Sequence, residues 1–194
     1  MTEEGKIKRI RGLAVSTRLP PTATARVAHA SKGVLHRLLP DVWIHTDATS
    51  VSKAKHNNKN TTGPSLSLLL TAESTTGVVL STECAWNPTN QQQRGKELPE
   101  DLGVKGATML LQEVQCGGCV DSGCQSLVLL FMCLGPEDVA RIRMGTLSQY
   151  TIASLRLFQQ AFGVEFKVKA DHESKTVLFS CLGTGYRNMA RAST

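Results

Sequence analysis

The stretch Ser65-Leu-Ser-Leu-Leu-Leu-Thr-Ala72 places Leu66, Leu68, Leu70 and Ala72 at every second position, with Ser65, Ser67 and Thr71 between them. A period of two marks a strand with one buried face. The turn signal Thr76-Gly77 follows, and Val78 to Trp86 is rich in β-formers, which predicts two antiparallel strands joined by a short turn. Upstream, Lys6 to Val15 mixes Ile7, Ile10, Leu13 and Val15 with basic residues and reads as a strand with an irregularity at Gly12. Pro20-Pro21 breaks it. Between Thr24 and Leu39, the apolar residues Val27, Ala30, Val34, Leu35 and Leu38 recur at helical spacing, and Pro40 ends the run. Asp41 to Asp47 reads as a short strand, and Ala48 to Pro64, rich in Ser, Asn, Lys and Thr, as a flexible loop. The first module is therefore βαβββ.

A second loop, Asn87 to Lys96, carries Pro88, Gln91-Gln92-Gln93 and Gly95, and marks the module boundary at 97/98. Beyond it the period changes. Pro99, Glu100 and Asp101 suit a first helical turn, where the helix dipole favours acids. Val104, Ala107, Leu111 and Val114 form the helical stripe, stopped by Gly117-Gly118. Ser122 to Gly135 reads as a second helix, whose Leu127 to Leu134 run is apolar almost all round, as for a helix buried between layers. Val139 to Met144 alternates, with Arg141 and Arg143 on one face and Ala140, Ile142 and Met144 on the other. Ser148 caps a helix with the stripe Ile152, Leu155, Phe158 and Phe162, ended by Gly163, and two strands, Val164 to Ala170 and Thr176 to Leu182, close the chain. The second module reads ααβαββ. The fold class is α+β, layered, with 5–97 as one domain and 98–194 as another.

Composition bounds the function. The chain has 194 residues, 41% hydrophobic and 5% aromatic, which is enough to bury a core and excludes disorder throughout. Its longest apolar run, Leu127 to Leu134, is far short of the ~20 residues of a membrane-spanning helix, and no membrane partner is expected. The first ten residues lack the apolar stretch of a signal peptide, so an intracellular compartment is expected and the six cysteines read first as thiols. The net charge of +6 is uneven. Residues 1–60 hold eleven Lys and Arg against four Asp and Glu, or +7, leaving −1 for the remainder. Lys6, Lys8, Arg9 and Arg11 fall within six positions and are the candidate RNA-binding residues, since such clusters neutralise phosphates. Few aromatics interleave with them, so a base-stacking platform is not expected.

Motifs for catalysis are weak. No phosphate-binding Gly-x-x-x-x-Gly-Lys-Ser/Thr occurs, and Gly183-Thr-Gly185 follows a strand but opens no helix. Cys116-Gly-Gly-Cys119, with Cys124 and Cys133 beyond, lacks a second CxxC or a nearby His, so a helix stop with incidental thiols competes with a zinc or redox site. His29, His36, His45, His56 and His172 lie in no motif that names a catalytic partner.

Glu4 to Gly12, Leu98-Pro-Glu-Asp-Leu-Gly103, Glu113, Gly117 to Ser122, Gln125-Ser-Leu127, Leu147 to Ile152 and Gly183-Thr-Gly185 together resemble the RNA 3′-terminal phosphate cyclase-like proteins. The resemblance covers nearly the whole chain. It implies an insert-type domain over 5–97 and the C-terminal part of the cyclase-type main domain over 98–194, with Met1 falling well into the family's chain. It also implies a non-catalytic factor of the nucleus and nucleolus. Such a factor serves small ribosomal subunit biogenesis with pre-rRNA, small-subunit processome components and a nucleolar GTPase, and needs no cofactor. Cyclases of this kind carry a nucleophilic His before the last long helix. Here the matching stretch Gly145-Thr-Leu-Ser-Gln-Tyr150 has none, and neither the amide of Gln149 nor the phenol of Tyr150 replaces an imidazole that must attack phosphorus and leave again. The alternatives are an RNA-processing enzyme, cyclase or endonuclease, and a non-functional truncated form.

Overall fold

The computed structural model describes residues 1–49, 64–86 and 98–186. The loop expected over 48–64 and the Gln-rich boundary loop lie largely outside the described residues. The chain divides into two units, Gly5–Gln115 and Met1–Glu4 with Cys116–Thr194.

In the first unit β1 (Ile7–Thr17), β2 (Val42–Thr49), β3 (Ser65–Ser74) and β4 (Val79–Ala85) form one sheet in the order β2-β1-β3-β4. β1 pairs with β2 in parallel, which demands a crossover, and α1 (Pro21–Leu35) supplies it. The remaining pairings are antiparallel. Leu66, Leu68, Leu70 and Ala72 all point into the core, as their period requires, beside Ile10, Ala14, Val42 and Ile44.

Three local expectations change. The irregularity in β1 is a register shift between Ile7 and Arg9, not at Gly12. Gly12 sits in regular pairing, and a Cβ there would lie 2.7 Å from Leu70 Cδ2 and 3.2 Å from Ile44 Cγ1, so its neighbours fill the space a side chain would take. β1 does end before Pro20-Pro21, but α1 starts at Pro21 and not at Thr24, with the proline in a first-turn position where its missing N–H costs nothing. α1 also ends at Leu35, with Leu38 and Leu39 turning back by hydrogen bonds to the Leu35 carbonyl.

The largest correction concerns α2 (Pro99–Cys116), the helix assigned by periodicity to the second domain. Leu102, Ala107 and Leu110 are fully buried in the core of the first sheet, against Val27, Leu35 and Leu68. The unit therefore reads βαβββα and ends at Gln115, not at 97. Of the expected stripe, Ala107 is buried and Leu111 and Val114 pack against the core, but Val104 is 45% exposed and the buried face extends instead over Gly103 and Gly106. A Cβ on Gly103 would lie 2.5 Å from the Val27 carbonyl oxygen, so α1 and α2 touch backbone to backbone. A count of apolar side chains does not register a contact made by glycines.

The second unit holds β5 (Val139–Met144), β6 (Lys167–Asp171) and β7 (Thr176–Leu182) in the antiparallel order β5-β7-β6. α3 (Gln125–Leu134) and α4 (Gln149–Phe162) pack on it around Leu129, Ile142, Met144, Phe158 and Phe179. This unit is αβαββ, since the first of its two expected leading helices lies in the other unit. α4 begins and ends as its sequence indicates: Ser148 Oγ accepts from the Thr151 amide at 3.1 Å, and Gly163 takes the left-handed C-cap at φ 66°. Its stripe is narrower than expected, with Thr151, Ser154 and Phe158 buried and Ile152 and Phe162 at the surface. α3 is not buried all round either, because Leu127 is 49% and Phe131 63% exposed. The class, α+β with mixed and antiparallel sheets, stands as expected.

Candidate nucleic-acid interface

The four basic residues proposed for RNA lie at the start of β1, and the fold gives three of them partners. The register shift turns Lys8 to the same side as Arg9, and both reach Glu73 on β3, Lys8 Nζ at 2.7 Å and Arg9 Nε at 2.6 Å. Arg11 holds Asp41 with two parallel bonds of 2.8 and 3.1 Å. These cations keep both carboxyls below the usual range, and Asp41 holds the Arg11 guanidinium above its own. Lys6 is exposed, its amide donating to Thr75 Oγ1 at 3.2 Å. The cluster thus presents four cations against two anions. Exposed single-contact pairs of this kind add little stability.

α1 and α2 cover only one face of the sheet. The open face carries Arg9, Arg11 and Leu13 on β1, and in register beside Arg11 stand Trp43 on β2 and Thr71 on β3. Leu13 is flanked by His45 and Leu69. The rings of Trp43 and His45 are 5.8 Å apart and tilted by 60°. No sequence signal brings Trp43 to Arg11, because parallel pairing joins segments about 30 residues apart.

Charge by structural unit differs from charge by sequence half. Residues 5–115 hold fourteen Lys and Arg against eight Asp and Glu, a net +6, and the other unit has eight of each. Even so, the open face of the second sheet gathers Arg141, Arg143, Lys167 and Lys169, as the alternation in β5 indicated for the two arginines. Arg143 is held tightly. It donates to Asp171 Oδ2 at 2.9 Å, Thr176 Oγ1 at 2.8 Å and the Thr2 carbonyl at 2.9 Å, and with Ser174 it keeps the Asp171 carboxyl at about 2.

Because that pKa lies below the unfolded value of ~3.9, the pairing contributes fully above the unfolded value and is lost as pH falls through the folded one. Arg143→Met is expected to raise the Asp171 pKa from about 2 towards ~3.9, read by carboxyl NMR titration. A value that stayed near 2 would assign the effect to Ser174 and the backbone amides alone.

The other motifs take structural parts. Gly183, Thr184 and Gly185 donate their amides to the carbonyls of Asp138, Cys133 and Gly135 at 3.2, 2.8 and 2.8 Å. These amides are spent on the chain and do not cradle phosphate. Burial raises the Cys133 thiol to about 11 and also raises Cys119 and Cys181, against the low pKa of a reactive cysteine. Among the described residues, no three His, Cys, Asp or Glu side chains converge as metal ligands. Before α4, the buried Gln125 donates to the Thr146 carbonyl at 3.0 Å. It accepts from the Ser148 amide at 3.2 Å and Thr151 Oγ1 at 2.9 Å. That amide shapes the Gly145–Tyr150 turn, leaving Gln149 and Tyr150 exposed.

The bounds of the first unit coincide with a known module: residues 2–115 match the insert domain of RNA 3′-terminal phosphate cyclase (RTC). The chain belongs to the RNA 3′-terminal phosphate cyclase family. Within it, the chain is 47% identical to a probable RNA 3′-terminal phosphate cyclase-like protein of Dictyostelium discoideum, covering 100% of this chain and 53% of that one. It is 42% identical to the RNA 3′-terminal phosphate cyclase-like protein of Homo sapiens, over 98% of this chain and 51% of the relative. It is 35% identical to the rRNA processing protein rcl1 of Schizosaccharomyces pombe, over 98% and 49%. The chain spans about half the length of the curated relatives it matches.

Proposed function

We propose that this chain is a non-enzymatic rRNA-processing factor that binds RNA through its insert-type unit. The observation that carries the reading is the turn before α4: Gly145–Tyr150 contains no His, in a chain similar to a protein named for rRNA processing. The +6 unit supports the RNA part, because phosphate neutralisation is its sequence-independent component. On this reading the chain works in the nucleus, in the nucleolus, in small-subunit assembly, with pre-rRNA, processome components and a GTPase as partners.

Replacing Lys6, Lys8, Arg9 and Arg11 together with Gln is expected to flatten the salt dependence of single-stranded RNA binding. Each lost phosphate contact lowers the log–log slope by ~0.7, so two to four contacts give a change of roughly 1.4 to 3. An unchanged slope would remove the β1 cluster from the interface. Incubation with ATP and 3′-phosphorylated RNA is expected to give neither a covalent adenylate nor a cyclic end. Either product would establish the enzyme reading instead.

A further inference from the structure

The open faces of the two sheets carry their charge differently. On the first, Lys8, Arg9 and Arg11 are paired with Glu73 and Asp41. On the second, Arg141 and Arg143 of β5 and Lys167 and Lys169 of β6 flank β7, whose Ser180 and Leu178 stand between them in register. The only carboxylate that the pairing puts on this face is Asp171, at one end, and Arg143 holds it. Glu3 follows Thr2 at the edge of β5, Glu137 and Asp138 precede β5, Glu165 precedes β6, and Glu173 shares the β6–β7 turn with Lys175. Arg141, Lys167 and Lys169 are exposed and form no ion pair among the described residues. Four cations against one anion leave a local excess of three, in a unit with eight of each overall. A surface built for solubility mixes the two signs. Lysines on an edge strand discourage edge-to-edge pairing, which accounts for β6. That role does not account for Arg141, because the outer edge of β5 is already met by Met1. Its amine donates to the Arg141 carbonyl at 3.3 Å, and its carbonyl accepts from the Arg143 amide at 3.0 Å.

We propose that this face of the second sheet is a contact surface for the phosphate backbone of base-paired RNA. It rests on the RNA-binding reading and adds to the insert-type unit a second surface, read by charge and not by bases. The uncharged members of the face are Val139, Thr176, Leu178, Ser180 and Leu182, none of them aromatic, so unpaired bases find no ring to stack on. What remains is charge, and a duplex presents one phosphate per ~1.7 Å of axis against ~3.4 Å for a single strand. Two cation rows about 9.5 Å apart, the width of two interstrand steps, also meet two strands of phosphates better than one. An acidic protein segment fits less well. Protein interfaces keep charge to the rim and apolar groups at the centre, whereas here the cations surround the centre, and the exposed Val139 and Leu182 stand at one end.

The test uses the full chain with a labelled RNA duplex and with one of its strands alone. The duplex is expected to bind more tightly than the strand. Arg141→Gln, Lys167→Gln and Lys169→Gln together are expected to lower the log–log salt slope for the duplex by roughly 1.8 to 2.7, at ~0.9 for each of two to three lost phosphate contacts. Arg143 stays in place because it holds Asp171. The melting transition should be unaltered, since none of the three side chains has an ion-pair partner among the described residues. Arg141→Lys with Lys167→Arg and Lys169→Arg keeps the charge and should keep the slope. An unchanged duplex slope in the triple Gln variant, together with a flattened slope in the four-Gln variant of β1, would overturn this surface and leave RNA binding standing. Tighter binding of the single strand than of the duplex would overturn it as well. Poly-glutamate binding that the triple Gln variant loses, with the duplex slope unchanged, would assign the face to an acidic protein segment instead. No binding of either RNA at low salt would remove both readings.

Discussion

A fragment of residues 5–116 is expected to unfold in a single cooperative transition, whereas one of residues 5–97 is expected not to fold. The difference is α2. It places Leu102, Ala107 and Leu110 in the core at no exposure, and Glu100 pairs with Arg26 of α1 at 2.5 and 2.8 Å. Truncating one buried Leu to Ala already costs about 2–5 kcal/mol. Removing two leucines and an alanine with their helix uncovers Leu68 and Val27 as well, which matches or exceeds the ~5–15 kcal/mol that holds a domain together. Circular dichroism melts and amide NMR dispersion of the two fragments decide the matter. A 5–97 fragment as stable as 5–116 would return α2 to the second unit.

Gly118→Ala is expected to destabilise the second unit by about 3–4 kcal/mol, lowering its melting temperature by more than ~10 °C. Gly118 sits at φ 87°, and a Cβ there would lie 2.3 Å from the Gly145 nitrogen and 2.6 Å from the Met144 carbonyl carbon. Both obstacles are backbone, so no rotamer relieves them. The approach is required because Gly118 bridges Met144, its amide donates to the Glu4 carboxylate, and the next amide, of Cys119, donates to the Arg143 carbonyl at 2.8 Å. Gly163→Ala is the control. It has a similar φ of 66° but nothing within 4 Å of the added Cβ, so only the left-handed penalty of ~1–2 kcal/mol applies. Equal effects at the two glycines, read from thermal or denaturant melts, would show that backbone conformation and not close approach governs Gly118.

Much of the fold is legible because it rests on local geometry. The alternation of Leu66 to Ala72 and of Val139 to Met144 shows which residues share a face, and Ser148 and Gly163 delimit α4. The candidate site was legible only in part. The run from Lys6 to Arg11 stands out in one dimension, but Glu73 and Asp41, which temper it, lie some 60 and 30 residues away and meet it only through strand pairing. Trp43 reaches the Arg11 row by the same route, which is why sparse aromatics near the basic cluster gave no hint of a ring face beside it.

The amino-acid sequence by itself determined the class of the fold, most of its elements, the basic character of the N-terminal module and the kinship with the cyclases. Periodicity and composition are properties of neighbours along the chain, and those features depend on nothing else. The tertiary structure alone decided which sheet α2 covers, where one unit ends, which cations are paired and which face is left open. Each of these depends on contacts between distant segments, and the decisive one, the glycine approach of α2 to α1, is made by residues with no side chain to announce it.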